Sequence, residues 1–190
     1  MEVSSRFQQA METVKNLRKD DPRVKNGSHD KSGEQLYANR MQTWLLKLDP
    51  NASEELLIAA NCEHLTRWKV DRHVYPMDKT GYYQWRKQVM GHQKEVLKNI
   101  LEGVGYDNNF TTKVLTIVGK ENFKTDPDVQ LIEDVACLVF LEFYFDQFKK
   151  DKTEEKIAGI VQKTWNKMSE AGRKHALQLS TAGELKQYME

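Results

Sequence analysis

The sequence lacks any excess of one charge and any long apolar run. Its 190 residues carry 29 Lys and Arg against 28 Asp and Glu, which gives a formal net charge of +1. Binding to polyanions without sequence preference needs a basic excess or a basic stripe, so this balance disfavours a nucleic-acid binder. No apolar run approaches the roughly 20 residues of a membrane-spanning helix, and residues 1–10 lack the apolar core of a signal peptide. We therefore expect a cytoplasmic protein without membrane association, a nuclear location being left open.

Cysteine and proline are also scarce. The two cysteines, Cys62 and Cys137, each stand in apolar sequence, which favours buried thiols over a disulfide. The four prolines divide the chain into segments in which apolar residues recur at intervals of three and four, the spacing of an amphipathic helix. At 39% apolar residues, the chain can close one sizeable core and is too short for two ordinary domains. The sequence predicts one all-α domain over residues 1–190, a helical bundle.

Start and stop signals give the helix boundaries of the first half. We predict helices over 3–17, over 36–48, from Asn51 or Ser53 to Trp68, and over 81–102 with Thr80 as the cap. Residues 19–33 are polar and contain glycine, so we expect a loop there. Residues 69–80 hold a proline and several charges, which predicts an irregular segment.

The second half is the more apolar one. The run 114–118 predicts a helix, although its β-branched residues also suit a strand. Asp126 and Pro127 form a helix start signal, and residues 129–148 are apolar around nearly the whole helix circumference. We therefore expect a central buried helix there. Further helical segments follow over 153–189, the last of them after a capping box of Thr181 and Glu184.

The end of the third predicted helix is the first candidate site. Glu63 and Arg67 are spaced as helix neighbours, and so are His64 and Trp68. Residues 70–86 then concentrate arginine and aromatic side chains, which suit binding because the arginine fork grips phosphate or carboxylate and aromatic rings stack planar groups. The alternative is an exposed ion pair followed by a surface loop with packed tyrosines.

Two acids inside the apolar helix are the second candidate. Glu133 and Asp134 precede the apolar run 135–141. A buried carboxylate is costly without a partner, so an arginine, a histidine, a metal or water is expected beside it. Two interpretations remain open. One of the acids forms a buried salt bridge with Arg40 or Arg67, or one of them either ligates a metal together with histidines or acts as a general base. His92, two turns after Trp85, is a further candidate ligand, although a single helical histidine is more often a packed or surface residue.

The chain resembles the uncharacterised family of domains of unknown function that carries the number four-two-zero-two. The resemblance is carried by EHLTRW at 63–68, DR at 71–72, YP at 75–76, TGY at 80–82, WR at 85–86, EDVACLVFLE at 133–142, TW at 164–165 and KMS at 167–169. It covers roughly residues 5–180. The family brings no activity with it. Alone, the KMS tripeptide is similar to the nucleotide loop of class I aminoacyl-tRNA synthetases, but its companion motif is missing from the sequence.

The order of the elements also resembles the His-Asp metal-dependent phosphohydrolase superfamily, which has an all-α fold. Glu63 and His64 take the positions of its His-Asp pair, His92 begins an intermediate helix, and Asp134 takes the late ligand position. The resemblance implies a divalent Mn, Fe, Zn or Mg ion held by His64, His92 and Asp134. It also implies that Glu63 and Asp134 are catalytic.

Two functions follow as hypotheses. The first is a phosphohydrolase that acts on a small phosphorylated or nucleotide-like metabolite. This substrate is a small anion, and the residues expected to bind it are Arg40, Arg67, Arg72, Tyr75 and Arg86. The second takes account of Arg40, which stands where the superfamily has its first histidine and cannot ligate a metal. Arg40 then forms a bridge with Glu63 or Asp134, and the protein is a catalytically degenerate ligand-binding or protein-interaction module without a cofactor.

Overall fold

The computed structural model describes residues 3–22 and 33–188, and within those ranges every regular element is a helix and no strand occurs. The α-helices are α1 (Ser5–Arg18), α2 (Glu34–Leu48), α3 (Glu54–Cys62), α4 (Lys79–Gly103), α5 (Asn108–Gly119), α6 (Pro127–Phe143), α7 (Phe145–Lys149), α8 (Glu154–Lys167), α9 (Glu170–Ala176) and α10 (Ala182–Lys186). Two 3-10 turns, Arg67–Lys69 and Arg72–Val74, lie between α3 and α4. The all-α prediction is confirmed.

Short polar side chains fix where most helices begin. A side-chain oxygen of the capping residue accepts a hydrogen bond from a first-turn N–H group at Ser4, Ser53, Asp78, Asp107, Asp126, Thr153 and Ser169. Pro127 follows one of these caps at the first helical position, where its missing N–H costs nothing. The predicted starts at Ser53 and at Asp126-Pro127 are therefore confirmed.

The chain divides into two compact units, Met1–Glu121 and Asn122–Glu190. The first contains α1 to α5, and the second contains α6 to α10. One domain over 1–190 stays a prediction.

In the first unit, α3 is the central element. All seven residues from Leu56 to Cys62 are buried, and α3 packs against α1, α2 and α5. Its small residues Ala59 and Ala60 are fully covered, which allows neighbouring helices to approach closely. The polar residues that follow α3 therefore leave directly from the core.

In the second unit, α6 is the buried element and packs against α7, α8 and α9. Most of its apolar side chains are buried, as the apolar sequence predicts, and Phe143 at its end is 41% exposed. The predicted continuous helix over 129–148 is interrupted, however, because Tyr144 leaves helical geometry with φ −122° and ψ −14° and separates α6 from α7.

Three predicted boundaries need correction. The third helix ends at Cys62 and not at Trp68, because the chain turns through a left-handed residue at Thr66. The cap of α4 is Asp78, whose Oδ1 accepts from the Gly81 N–H at 2.7 Å, and not Thr80. Thr181 forms no capping box, since its backbone is already helical and its hydroxyl donates to the Leu141 carbonyl. The loop predicted over 19–33 falls largely on residues 23–32, which lie outside the described residues.

Both cysteines are buried thiols and form no disulfide, as predicted. Burial raises the pKa of the Cys62 thiol to about 12. In the described part of the chain, no helix is long and apolar enough to cross a membrane.

Candidate functional site

Helix α3 ends in a strained turn at Thr66. This buried residue adopts the left-handed region with φ 55°, which is uncommon for a β-branched residue and costs on the order of 1–3 kcal/mol. The turn is held by Glu34, whose Oε2 accepts the Thr66 N–H at 3.1 Å. The direction of the chain therefore changes here, and Glu63, His64 and Arg67 project from a turn instead of a helix face.

Glu63 is held by groups from two other helices. Its Oε1 lies 2.5 Å from Lys120 Nζ, and its Oε2 accepts from the Tyr37 hydroxyl at 3.3 Å. Its side chain is only 10% exposed. Lys120 reaches it from the residue after α5, where it too is left-handed with φ 54°. The predicted i,i+4 ion pair of Glu63 with Arg67 is thus replaced by a long-range pair with Lys120.

His64 lies between an aromatic ring and a cation. Its imidazole stacks on Tyr37 with ring centroids 4.0 Å apart, and its Nε2 lies 3.2 Å from Arg67 Nη1. Guanidinium has no acceptor, so Nε2 accepts this hydrogen bond, and a neutral ring carries its proton on Nδ1. A metal at Nε2 would have to displace the Arg67 contact.

Two guanidinium groups share the ring of Trp85. Arg67 lies 4.6 Å and Arg72 6.0 Å from a Trp85 ring centroid, and the indole is fixed because its Nε1 donates to the Val70 carbonyl at 2.9 Å. Burial lowers the pKa of Arg67, and the nearby charge of Arg86 lowers it further. The cations thus gather around a single buried aromatic ring.

This cluster continues into an exposed apolar surface. Of the six large hydrophobic side chains exposed in the described residues, four lie within residues 74–83: Val74 (74% exposed), Met77 (72%), Tyr83 (61%) and Tyr82 (42%). The enclosing segment 67–87 carries six Lys and Arg against two Asp, hence a net charge of +4 in a chain of net charge +1. We call residues 67–87 the basic apolar surface.

The predicted site residues of the first unit are partly brought together. Tyr37 contacts both Glu63 and His64, His64 contacts Arg67, and Arg67 shares the Trp85 ring with Arg72. The carbonyl of Tyr75 accepts a hydrogen bond from Arg72 at 3.1 Å, and exposed Arg86 acts electrostatically on Arg67. Arg40 is half-buried on α2.

His92 lies on α4, and its buried Nε2 has no hydrogen-bond partner among the described residues. Sequence reasoning missed Tyr37 and Lys120 as members of the site. The spacing assigned Tyr37 to an apolar helix face, and nothing in the sequence around Lys120 indicated its role.

Asp134 belongs to the second unit, where it holds the start of α9. Its Oδ1 accepts from the Ser169 N–H at 2.8 Å and from Gln130 Nε2 at 3.0 Å, and its Oδ2 accepts from the Ser169 hydroxyl. A Cβ on Gly172 would lie 2.7 Å from Oδ1, so α9 packs directly on this carboxylate. The hydrogen bonds that a buried acid requires are therefore supplied here by one serine and one glutamine.

Glu133, beside it, forms an ion pair with Lys167, whose Nζ lies 2.8 Å from Oε1. Lys167 and Ser169 both belong to the KMS tripeptide. Two sequence segments that carry the family resemblance, 133–142 and 167–169, are thus in direct contact.

The contacts of His64 and Asp134 bear on whether these residues can ligate the metal that the resemblance implies. The oxygens of Asp134 already accept three hydrogen bonds, and His64 Nε2 faces a cation, so neither is set up as a ligand. Over residues 3–22 and 33–188, no group of three or more His, Cys, Asp or Glu side chains is arranged to hold a metal ion. The metal set His64, His92 and Asp134 stays a prediction from the resemblance.

Comparison with known proteins gives one match. The family model described as "Domain of unknown function (DUF4202)" matches residues 8–189. No curated protein and no solved structure matches the chain.

Proposed function

The chain belongs to the DUF4202 family, whose description assigns no activity, and we propose that it is a protein-interaction module whose basic apolar surface binds an acidic segment of a partner protein. The observation that carries this proposal is the concentration of exposed apolar side chains over residues 74–83. This function corresponds to the second hypothesis from the sequence, and it does not depend on the role of Arg40.

The composition of the surface supports a protein partner. Exposed apolar patches rimmed by polar groups mark interaction sites on soluble proteins. Tyrosine, tryptophan, methionine and arginine are the residues enriched in protein interfaces, and all four types occur over residues 67–87. Tyr82 also contacts both Tyr83 and Trp85, with ring centroids 5.9 and 5.8 Å apart. The rings thus form a connected platform on which a partner's apolar side chains can pack.

The charge of the surface selects the partner. Its net charge of +4 attracts an acidic segment and repels a basic one, because electrostatic complementarity acts on both the association rate and the choice of partner. Arg72 and Arg67 are held against the Trp85 ring, so their forks lose little freedom when they bind carboxylates. We therefore expect acidic residues to bind at the arginines and apolar residues to bind at 74–83.

The test uses a fluorescent peptide that alternates glutamate with tryptophan and leucine, with binding followed by anisotropy. We expect the combined change Met77→Ser and Tyr83→Ser to weaken binding about tenfold, because exposed aromatic anchors contribute more than about 1 kcal/mol each at interfaces. Both side chains are exposed, so the fold should be unchanged. Arg86→Glu should weaken binding and also reduce its dependence on salt.

Leu177→Ser is the matched control, because Leu177 is also an exposed large hydrophobic, 43% exposed, in the second unit; it should bind like the unchanged protein. Two control peptides should both bind weakly: one in which lysine replaces every glutamate, and one in which glycine replaces the tryptophan and leucine. The proposal is wrong if no peptide binds, if the lysine peptide binds equally well, or if a single-stranded oligonucleotide binds more tightly than the acidic peptide.

A metal-dependent phosphohydrolase is the second candidate. The observation that favours it is His92, because a buried imidazole nitrogen without a partner is what a missing ligand would leave. When bound, a divalent ion would activate water and polarise a phosphoryl oxygen. The contacts of His64 and Asp134 weigh against this candidate, so no step is assigned to either residue.

Metal addition separates the two candidates. If the protein is a phosphohydrolase, we expect Mn²⁺ to raise its melting temperature and to permit hydrolysis of p-nitrophenyl phosphate, and we expect His92→Ala to abolish both effects. His73→Ala is the control, since His73 is an exposed histidine of the 67–87 segment. Absence of Mn²⁺ stabilisation together with absence of turnover would eliminate this candidate.

A further inference from the structure

A cavity of about 270 Å³ opens in the first unit among residues of α1, α2 and α3. Its lining combines two cations, three side-chain amides and two apolar side chains, and it contains no carboxylate. The cations are Lys15 and Arg18, and the apolar wall is formed by Phe7 and Met11. The lining is more polar than that of most small-molecule sites, which are predominantly apolar, so a polar or charged ligand is expected.

Arg18 is the central polar group of this lining. It is only 8% exposed, and two of its nitrogens are anchored: Nη1 donates to Gln35 Oε1 at 3.0 Å, and Nη2 donates to the Asn61 carbonyl. Its third nitrogen, Nε, is buried and has no hydrogen-bond partner among the described residues. A buried donor left in this state costs about 1–3 kcal/mol, and each of the two anchored nitrogens keeps a second N–H for a further acceptor.

The charge around the cavity favours an anion. The carboxylate of Glu34 acts electrostatically on Arg18 and partly offsets its charge, but Glu34 also accepts the Thr66 N–H. Among residues 3–22 and 33–188, the ion-pair partner of Lys15 is an exposed carboxylate on its own helix, Glu12, at 3.9 Å with both side chains more than half exposed. Such a pair contributes little, so Lys15 remains available to a ligand.

We propose that this cavity binds a small organic carboxylate, its carboxylate held by the guanidinium of Arg18 and by Lys15 and its apolar body held by Phe7 and Met11. Each guanidinium carries five N–H donors, and the two anchoring hydrogen bonds fix the orientation of Arg18 before the ligand arrives. The volume suits a compact ring or a short chain, since one water molecule occupies about 30 Å³ in the liquid. The proposal is independent of the protein-interaction function, because none of the lining residues belongs to the basic apolar surface.

The experiment uses the 190-residue chain with benzoate as the probe and benzyl alcohol as its neutral counterpart. Binding is measured by isothermal titration calorimetry and located by amide chemical-shift changes in NMR spectra. We expect benzoate to bind at least about tenfold more tightly than the alcohol, because charge-assisted hydrogen bonds are roughly twice as strong as neutral ones. The shifted amides should lie on α1, α2 and α3.

Three variants locate the ligand. Lys15→Met should weaken benzoate binding several-fold, Met11→Trp should abolish it by filling the cavity, and Lys19→Met should leave it unchanged because the exposed Lys19 is outside the lining. Lys15 is exposed and Met11 is half-buried, so both variants avoid the anchoring contacts of Arg18. The proposal fails if benzoate does not bind at about 20 mM, if the alcohol binds equally well, or if Met11→Trp and Lys15→Met both bind like the unchanged protein.

Discussion

Replacing Asp134 by alanine is expected to destabilise the 122–190 unit by about 3 kcal/mol. The change removes a carboxylate that is 3% exposed and accepts three hydrogen bonds, two of them from Ser169. The first turn of α9 then loses its anchor, and the half-buried donor groups on Ser169 and Gln130 lose this acceptor. Asp134→Asn should have a smaller effect, since the amide keeps one acceptor oxygen of the same shape.

Urea denaturation followed by tryptophan fluorescence measures this loss, and hydrogen exchange analysed by peptide assigns it to residues 122–190. Asp151→Ala is the control, an exposed carboxylate in the same unit, and should change stability by less than about 0.5 kcal/mol. The double variant with Ser169→Ala should lose less than the sum of the single losses, because both changes remove the same contact.

If Asp134→Ala kept full stability, the hydrogen bonds to Ser169 would contribute nothing, and the metal or catalytic role implied by the resemblance would regain support. The stability of this variant therefore distinguishes a structural role of Asp134 from a metal-binding or catalytic one, and the measurement needs no substrate. A loss confined to the 122–190 unit supports the structural role.

Gly81→Ala is expected to destabilise the first unit by about 2–4 kcal/mol. A Cβ at this position would lie 2.1 Å from the Pro76 carbonyl oxygen and 2.7 Å from its carbon. These are backbone atoms, so the clash cannot be relieved by turning a side chain. The start of α4 and residues 74–78 must therefore move apart, and the exposed side chains of the basic apolar surface move with them.

The same helix offers a matched control. A Cβ on Gly91 would meet nothing within 4 Å, so Gly91→Ala should stabilise the protein by about 0.5–1 kcal/mol through the better helix propensity of alanine. Thermal unfolding and the acidic-peptide titration are measured on both variants. Equal stability of the two variants would contradict the close approach of Gly81 to Pro76. If a folded Gly81→Ala protein bound the peptide with unchanged affinity, the peptide site would not include residues 74–78.

The sequence predicted the features of the fold that are decided locally. Ser53 and Asp126-Pro127 were recognisable as helix starts because their caps bond within three residues. The end of α3 was not predictable, since the Thr66 turn depends on a hydrogen bond from the Thr66 N–H to a glutamate 32 residues away. A pattern read along one helix carries no information about such a partner.

The candidate site was likewise predictable only where its residues are neighbours in the chain. The cluster of arginine and aromatic residues over 67–86 was visible in the sequence because its members are neighbours in the chain. The partners of Glu63 and Asp134 were not visible, because Lys120 and Ser169 lie 57 and 35 positions further along the chain. The cavity beside Arg18 left no sequence signal, since its lining residues come from three separate helices.

The left-handed backbone at Thr66 and Lys120 has a consequence for protein engineering. Glycine adopts this conformation without steric cost, so a backbone-based design would favour glycine at both positions. At position 120 that replacement would remove the amine paired with Glu63 and leave a largely buried carboxylate without this partner. A design that scores the backbone alone would therefore remove a contact that holds the site.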